Sequence, residues 1–174
     1  MEWTGVRYAD GPRVEVTTEV AASPEVVWPI ITDVTLMPQM SEELLTVEWS
    51  DPTRRPTVGS SFVGTSRHPA LGKWSTTSYV VEYDSPRRFT WAVSDPQDPS
   101  SSWGFVLADD DSLVEGGTRL MQWMTMGPAP SGLSLAIDAM PDKEQKIVFV
   151  RMREFEAGMT RTLADIKQRA EGAA

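Results

Sequence analysis

KEQKIVFVRMREFEAGMTRTLADIKQR, residues 143–169, is the stretch on which the fold turns. Val148, Met152, Phe155, Met159, Leu163 and Ile166 recur three and four positions apart, which places them along one apolar face of a long helix. Most of the chain upstream reads as strands. This helix is therefore the one element long enough to cover a sheet.

Upstream of it, Leu120, Gln122, Met124 and Met126 alternate with their neighbours, as do Trp103, Phe105 and Leu107, and Phe89, Trp91 and Val93 in RFTWAV. Residues 60–67 and 73–83 read as a hairpin around HPALG. Leu45–Trp49 is a further strand before the turn DPTRRPTVG, and RVEVTTEVA at 13–21 is the first. Between the first strand and the rest lie two short helices, 24–34 and Met37–Leu44. In the first, Ser23 and Pro24 suit the helix start, while Pro29 sits a turn inside and predicts a bend beside Trp28. The order is strand, two helices, six strands, long helix. Alternating strands imply an antiparallel sheet with one covered face, and a twisted sheet gripping one helix leaves a cavity where they splay apart.

The formal charge of -9 argues against a nucleic-acid partner, since phosphates reward clustered Lys and Arg. Residues from 142 onward hold seven basic and six acidic side chains, net +1, so the acidity belongs to the body and the last helix carries mixed charge. There is no cysteine, hence no disulfide framework. No signal peptide is visible and no run approaches the ~20 apolar residues of a membrane helix, so a cytoplasmic protein without membrane insertion is expected. Seven tryptophans and nine methionines are more than a core of this size requires, and both suit the walls of an apolar ligand site.

The stretches VEVTTEVAASPEVVWPIITDV, SEELLTVEW, GSSFVG…GKWSTTSYVVEYDSPRRFTWAV and SSWGFVLADDDSLVEGGTRLMQWMTM, followed by the amphipathic last helix, resemble in that order the START / birch-pollen-allergen-like (SRPBCC) superfamily, in its polyketide cyclase/dehydrase and lipid-transport branch. The resemblance spans nearly the whole chain. It implies an α+β helix-grip fold, a curved antiparallel sheet of about seven strands around the C-terminal helix. Residues 1–174 would form one such domain, with an extension over about 1–12, a lid or crossover at 127–142, and the helix over about 143–169. It also implies a pocket for a hydrophobic small molecule such as a lipid or polyketide, which relatives use for carriage or for cyclisation and dehydration. Pro29 departs from the helix formers more usual at that place in the family.

Three functions follow as expectations: carriage of an apolar ligand, a polyketide cyclase or dehydratase acting in the same cavity, and a protein-interaction domain with a filled core. The candidates for catalysis are Arg67, His68 and Arg151, the arginines because cyclase relatives use one to polarise a carbonyl. His68 is the only histidine, the side-chain type suited to acid/base work at neutral pH. Expected at the ligand are Trp28, Phe62, Trp74, Trp91, Trp103, Phe105, Leu120, Gln122, Met124, Met140 and Phe155. Gln122 is the informative one, because an inward amide among apolar side chains needs a partner. The acidic run Asp109–Asp111 lacks the spacing of a calcium loop, and Glu42 and Glu43 point to different faces if helical. No metal or other cofactor is expected, and the sequence does not fix an oligomeric state.

Overall fold

A computed structural model describes residues 5–109 and 116–173. The alternating segments become β1 (Arg13–Val20), β2 (Leu44–Trp49), β3 (Ser61–His68), β4 (Gly72–Asp84), β5 (Arg88–Val93), β6 (Ser101–Asp109) and β7 (Thr118–Met126). They form one antiparallel sheet in the order β1-β7-β6-β5-β4-β3-β2. Strands β2 to β7 follow one another as a meander, and β1 crosses to pair with β7 from Arg13↔Thr125 to Val20↔Thr118. The helices are α1 (Pro24–Thr32), α2 (Gly132–Ala139) and α3 (Glu144–Ala173). This is the helix-grip architecture. The acidic turn, apart from Asp109, lies outside the described residues. None of the described helices is long and apolar enough to cross a membrane.

The α3 helix grips the sheet at two places. Near its C-terminal end, Leu163, Ile166 and Ala170 pack with Val20, Phe89, Leu107 and Leu120 of the sheet and with Val27, Trp28 and Ile31 of α1. Towards its other end, Val148 and Met159 join Val14, Met124, Met126 and Leu133. Fully burying each such side chain contributes about 1.5–3 kcal/mol. Polar ties fix the first grip. Thr118 Oγ1 donates to the Ala22 carbonyl at 2.6 Å, and Glu171 accepts from the Ala21 N–H at 2.9 Å and from Lys167 Nζ at 2.6 Å. The Lys167 hydrogen bond, seconded by Ala21, holds the Glu171 carboxyl below its ordinary range.

Helix α1 continues through Pro29 and ends at Thr32, short of the expected 24–34, and two further sequence expectations change. Pro29 and Glu25 are exposed, so water can serve the carbonyl that proline leaves without a donor. The second helix is a 3₁₀ segment, Val34–Met40, capped by Asp33, whose carboxylate accepts from the Thr35 N–H at 3.1 Å. It ends before Glu42 and Glu43, which stand in a bend. The segment 127–142, expected as a lid or crossover, contains α2, started by Ser131, whose hydroxyl accepts from the Leu133 N–H. Tyr8, ahead of β1, straps this segment by donating its hydroxyl to the Ala129 carbonyl at 2.7 Å.

On the outer face, Gly104 lies opposite Trp123 in the register. A Cβ at Gly104 would stand 2.6 Å from Trp123 Nε1 and 2.7 Å from Cε2, while the Arg13 guanidinium covers the ring at 4.5 Å. Gly104→Ala is expected to lower stability by about 1–2 kcal/mol through overpacking. Trp123→Leu in the same chain should return most of that loss in urea unfolding.

Candidate functional site

Between the two grips the sheet and α3 part around a cavity of about 1180 Å³. Inward alternation on β5 and β6 supplies its aromatic wall. Trp91 stacks on Trp103 with centroids 6.5 Å apart and planes 4° from parallel. Phe62 and Phe105 pack tilted or edge-on against Trp91 at 6.0 and 5.9 Å. Phe155 of α3 closes edge-on over Trp103 at 5.2 Å. The Trp103 indole N–H donates to Ser101 Oγ at 3.1 Å, so its one polar group is already served. Ser66, Trp74, Thr76 and Ser78 line the β3–β4 side, and Leu133, Leu135 and Ala136 of α2 line another part.

A charged clasp joins the sheet to α3 on the cavity wall. Arg151 is only 6% exposed and forks onto Glu43, Nη1 to Oε1 at 2.6 Å and Nη2 to Oε2 at 2.8 Å. Its guanidinium carbon also lies 4.1 Å from the centroid of Phe155. Glu154, one helical turn on, is 3.5 Å from Arg151 Nη1 and 2.5 Å from His68 Nε2. The His68 ring is fixed at its other nitrogen, where Nδ1 accepts from the Ala70 N–H at 3.0 Å. That bond makes Nε2 the protonated nitrogen and the donor to Glu154. Beside it Glu42 pairs with Arg161 of α3.

Glu43, His68 and Glu154 offer ligand atoms within 4.8 Å of one another, a set able to hold a cation. Arg151 already supplies the positive charge there, with its fork on both oxygens of Glu43. The arrangement is a clasp between α3, the bend before β2 and the end of β3, and a metal would have to displace the guanidinium.

Of the residues expected at a ligand, Phe62, Trp74, Trp91, Trp103, Phe105, Gln122 and Phe155 line the cavity together, and so does Arg151. Others do not. Trp28 is buried edge-on against Tyr83 at 5.3 Å, away from the cavity floor that its place in α1 suggested. Leu120 and Met124 share the inward face of β7 with Gln122, but each is covered by one of the two grips of α3. Met140 caps the end of α2 and is 41% exposed. Arg67 points to solvent, and His68 reaches the wall only through Glu154.

Sequence reasoning missed Glu43, Glu154 and Gly158. A glycine inside a helix, three positions after Phe155 on the cavity side, was the available signal for the last. The carboxylates carried none, because their partners are remote in sequence.

Against known proteins, a family model described as polyketide cyclase/dehydrase and lipid transport matches residues 11–171. A polyketide-cyclase-like protein from Corynebacterium glutamicum, solved by NMR, is similar at 25% identity and TM-score 0.63, covering 89% of this chain and 88% of that one. The di-domain ARO/CYC protein of the steffimycin biosynthetic pathway is similar at 14% identity and TM-score 0.70, over 92% of this chain and 51% of that one. A protein of Thermus thermophilus is similar at 15% identity and TM-score 0.63, over 94% of this chain and 99% of that one. No curated protein matches.

Proposed function

The chain belongs to the polyketide cyclase/dehydrase and lipid transport family, and from that premise we propose that it binds and carries a hydrophobic small molecule in the cavity between sheet and α3. The observation that carries this reading is the cavity itself, about 1180 Å³ with a continuous aromatic wall from Phe62 through Trp91 and Trp103 to Phe155. Apolar burial drives such binding, and a volume of this size accommodates a multi-ring or long-chain molecule.

Uptake is expected to change tryptophan emission, because Trp91 and Trp103 stand on the wall. At a hundredfold excess over Kd it should also add about 2.7 kcal/mol, which is a rise of about 5–10 °C in Tm for a chain of this length. Titration with a panel of lipids, quinones and aromatic polyketides, read by fluorescence and thermal unfolding, checks both. Silence across the panel would remove the reading.

The family and the ARO/CYC neighbours also support cyclisation or dehydration in the same space. The favouring observation is Glu154 on the wall with His68 behind it. The binding reading ranks ahead because the polar groups at hand are bound to one another, Arg151 to Glu43 and both His68 nitrogens to Glu154 and Ala70. Turnover of a poly-β-keto substrate that survives in His68→Ala and Arg67→Ala would take both residues out of catalysis. The cavity supports these two readings ahead of an interaction domain with a filled core.

A further inference from the structure

Both cations described on the cavity wall are paired, Arg151 with Glu43 and Arg161 with Glu42. An entering carboxylate would compete with these glutamates for the same cations, against an acidic wall that also holds Glu154 and Asp165. Gln122 differs. It is only 6% exposed, lines the cavity, and its Oε1 is a buried side-chain atom with no hydrogen-bond partner among the described residues. Its neighbours across the sheet are Phe105 on β6 and Val16 on β1, neither of which has a side-chain donor. The grips of α3 fall on Leu120 and Met124 to either side, so the amide stands in the gap that a ligand would fill. A buried acceptor left unpaired is costly, and the last torsion of a glutamine is soft enough to turn the oxygen towards a donor.

We infer that the ligand is a neutral amphiphile whose hydrogen-bond donor, a hydroxyl or amide N–H on an otherwise apolar body, pairs with Gln122 Oε1, and that ionised carboxylates are the rejected class. This rests on the cavity reading above and narrows it. A site that holds an unpaired acceptor discriminates strongly between a ligand that supplies the donor and one that lacks it.

Three probes with one tail separate the cases by calorimetry: 4-octylphenol, which donates; 4-octylanisole, which keeps the oxygen but cannot donate; and 4-octylbenzoate, which is anionic. The wild-type protein is expected to bind the phenol about tenfold or more tightly than either of the others. Gln122→Met, close in volume, should bring the phenol to within about threefold of the anisole. Equal wild-type binding of phenol and anisole, a preference for the benzoate, or a phenol preference that survives in Gln122→Met would overturn the inference while leaving the cavity reading standing. Binding of none of the three, together with silence across the broader panel, would overturn both. The wild-type comparison decides the matter even if the variant does not fold.

Discussion

Gly158→Phe is expected to weaken binding of large hydrophobic ligands about tenfold or more while leaving the protein at least as stable as the parent. Gly158 lies inside α3, where glycine costs about 0.5–1 kcal/mol relative to alanine. A Cβ built there meets nothing within 4 Å, so the position demands no glycine on steric grounds. It also lines the cavity, on the side of the helix that carries Arg151, Phe155 and Thr162. A phenyl ring at this point therefore takes space from the ligand and none from the core. The loss should grow with ligand size, small for a single-ring probe and largest for a molecule that fills the chamber. Calorimetric titration alongside thermal unfolding reads the two effects separately. Full affinity for a large ligand in a stable variant would place the binding site elsewhere.

Arg151→Met is expected to destabilise the protein by about 2–3 kcal/mol, roughly 5–10 °C in Tm. Methionine retains much of the stem packing but removes the fork on Glu43 and the guanidinium over Phe155. Glu43 and Glu154 are then left as neighbouring carboxylates without their cation. Both are about one-third exposed and can regain water, which puts the loss below the top of the range for fully buried pairs. Adding Glu43→Leu should recover at least half of the loss in urea unfolding, since the orphaned charge goes with its partner. A single variant as stable as the parent would mean that the clasp does not hold the helix to the sheet.

The fold was legible because its signals are local. The period-two pattern of Trp103, Phe105 and Leu107 and the helical pattern from Val148 to Ile166 each reflect one face turned inwards. Gln122 was legible for the same reason, as the polar residue out of place on such a face. What stayed hidden depends on three dimensions. Leu120 and Met124 read the same as Gln122 along the strand, and only the positions of the two grips separate core from cavity wall. The clasp joins Glu43 to Arg151 across 108 residues and His68 to Glu154 across 86, distances over which no spacing rule operates. Helix α2 was hidden because prolines and glycines flank eight helical residues, so the segment reads as loop. Trp28, expected at the ligand, packs instead with Leu163 and Ile166 of α3 and edge-on against Tyr83 of β4.

The crossing of β1 to β7 also sets an order of events during synthesis. Among the seven described strands, β1 leaves the ribosome first and is an edge strand whose partner emerges last, with Arg13 waiting for Thr125, 112 residues later. Strands β2 to β7 can zip as successive hairpins while Val14, Val16 and Val20 remain without a neighbour. The second grip needs Val14, Met124 and α3 together, so the cavity gains its walls only after the whole meander and the last helix are made. Until then the aromatic strip that is to receive a ligand faces water, which makes the nascent chain vulnerable to aggregation.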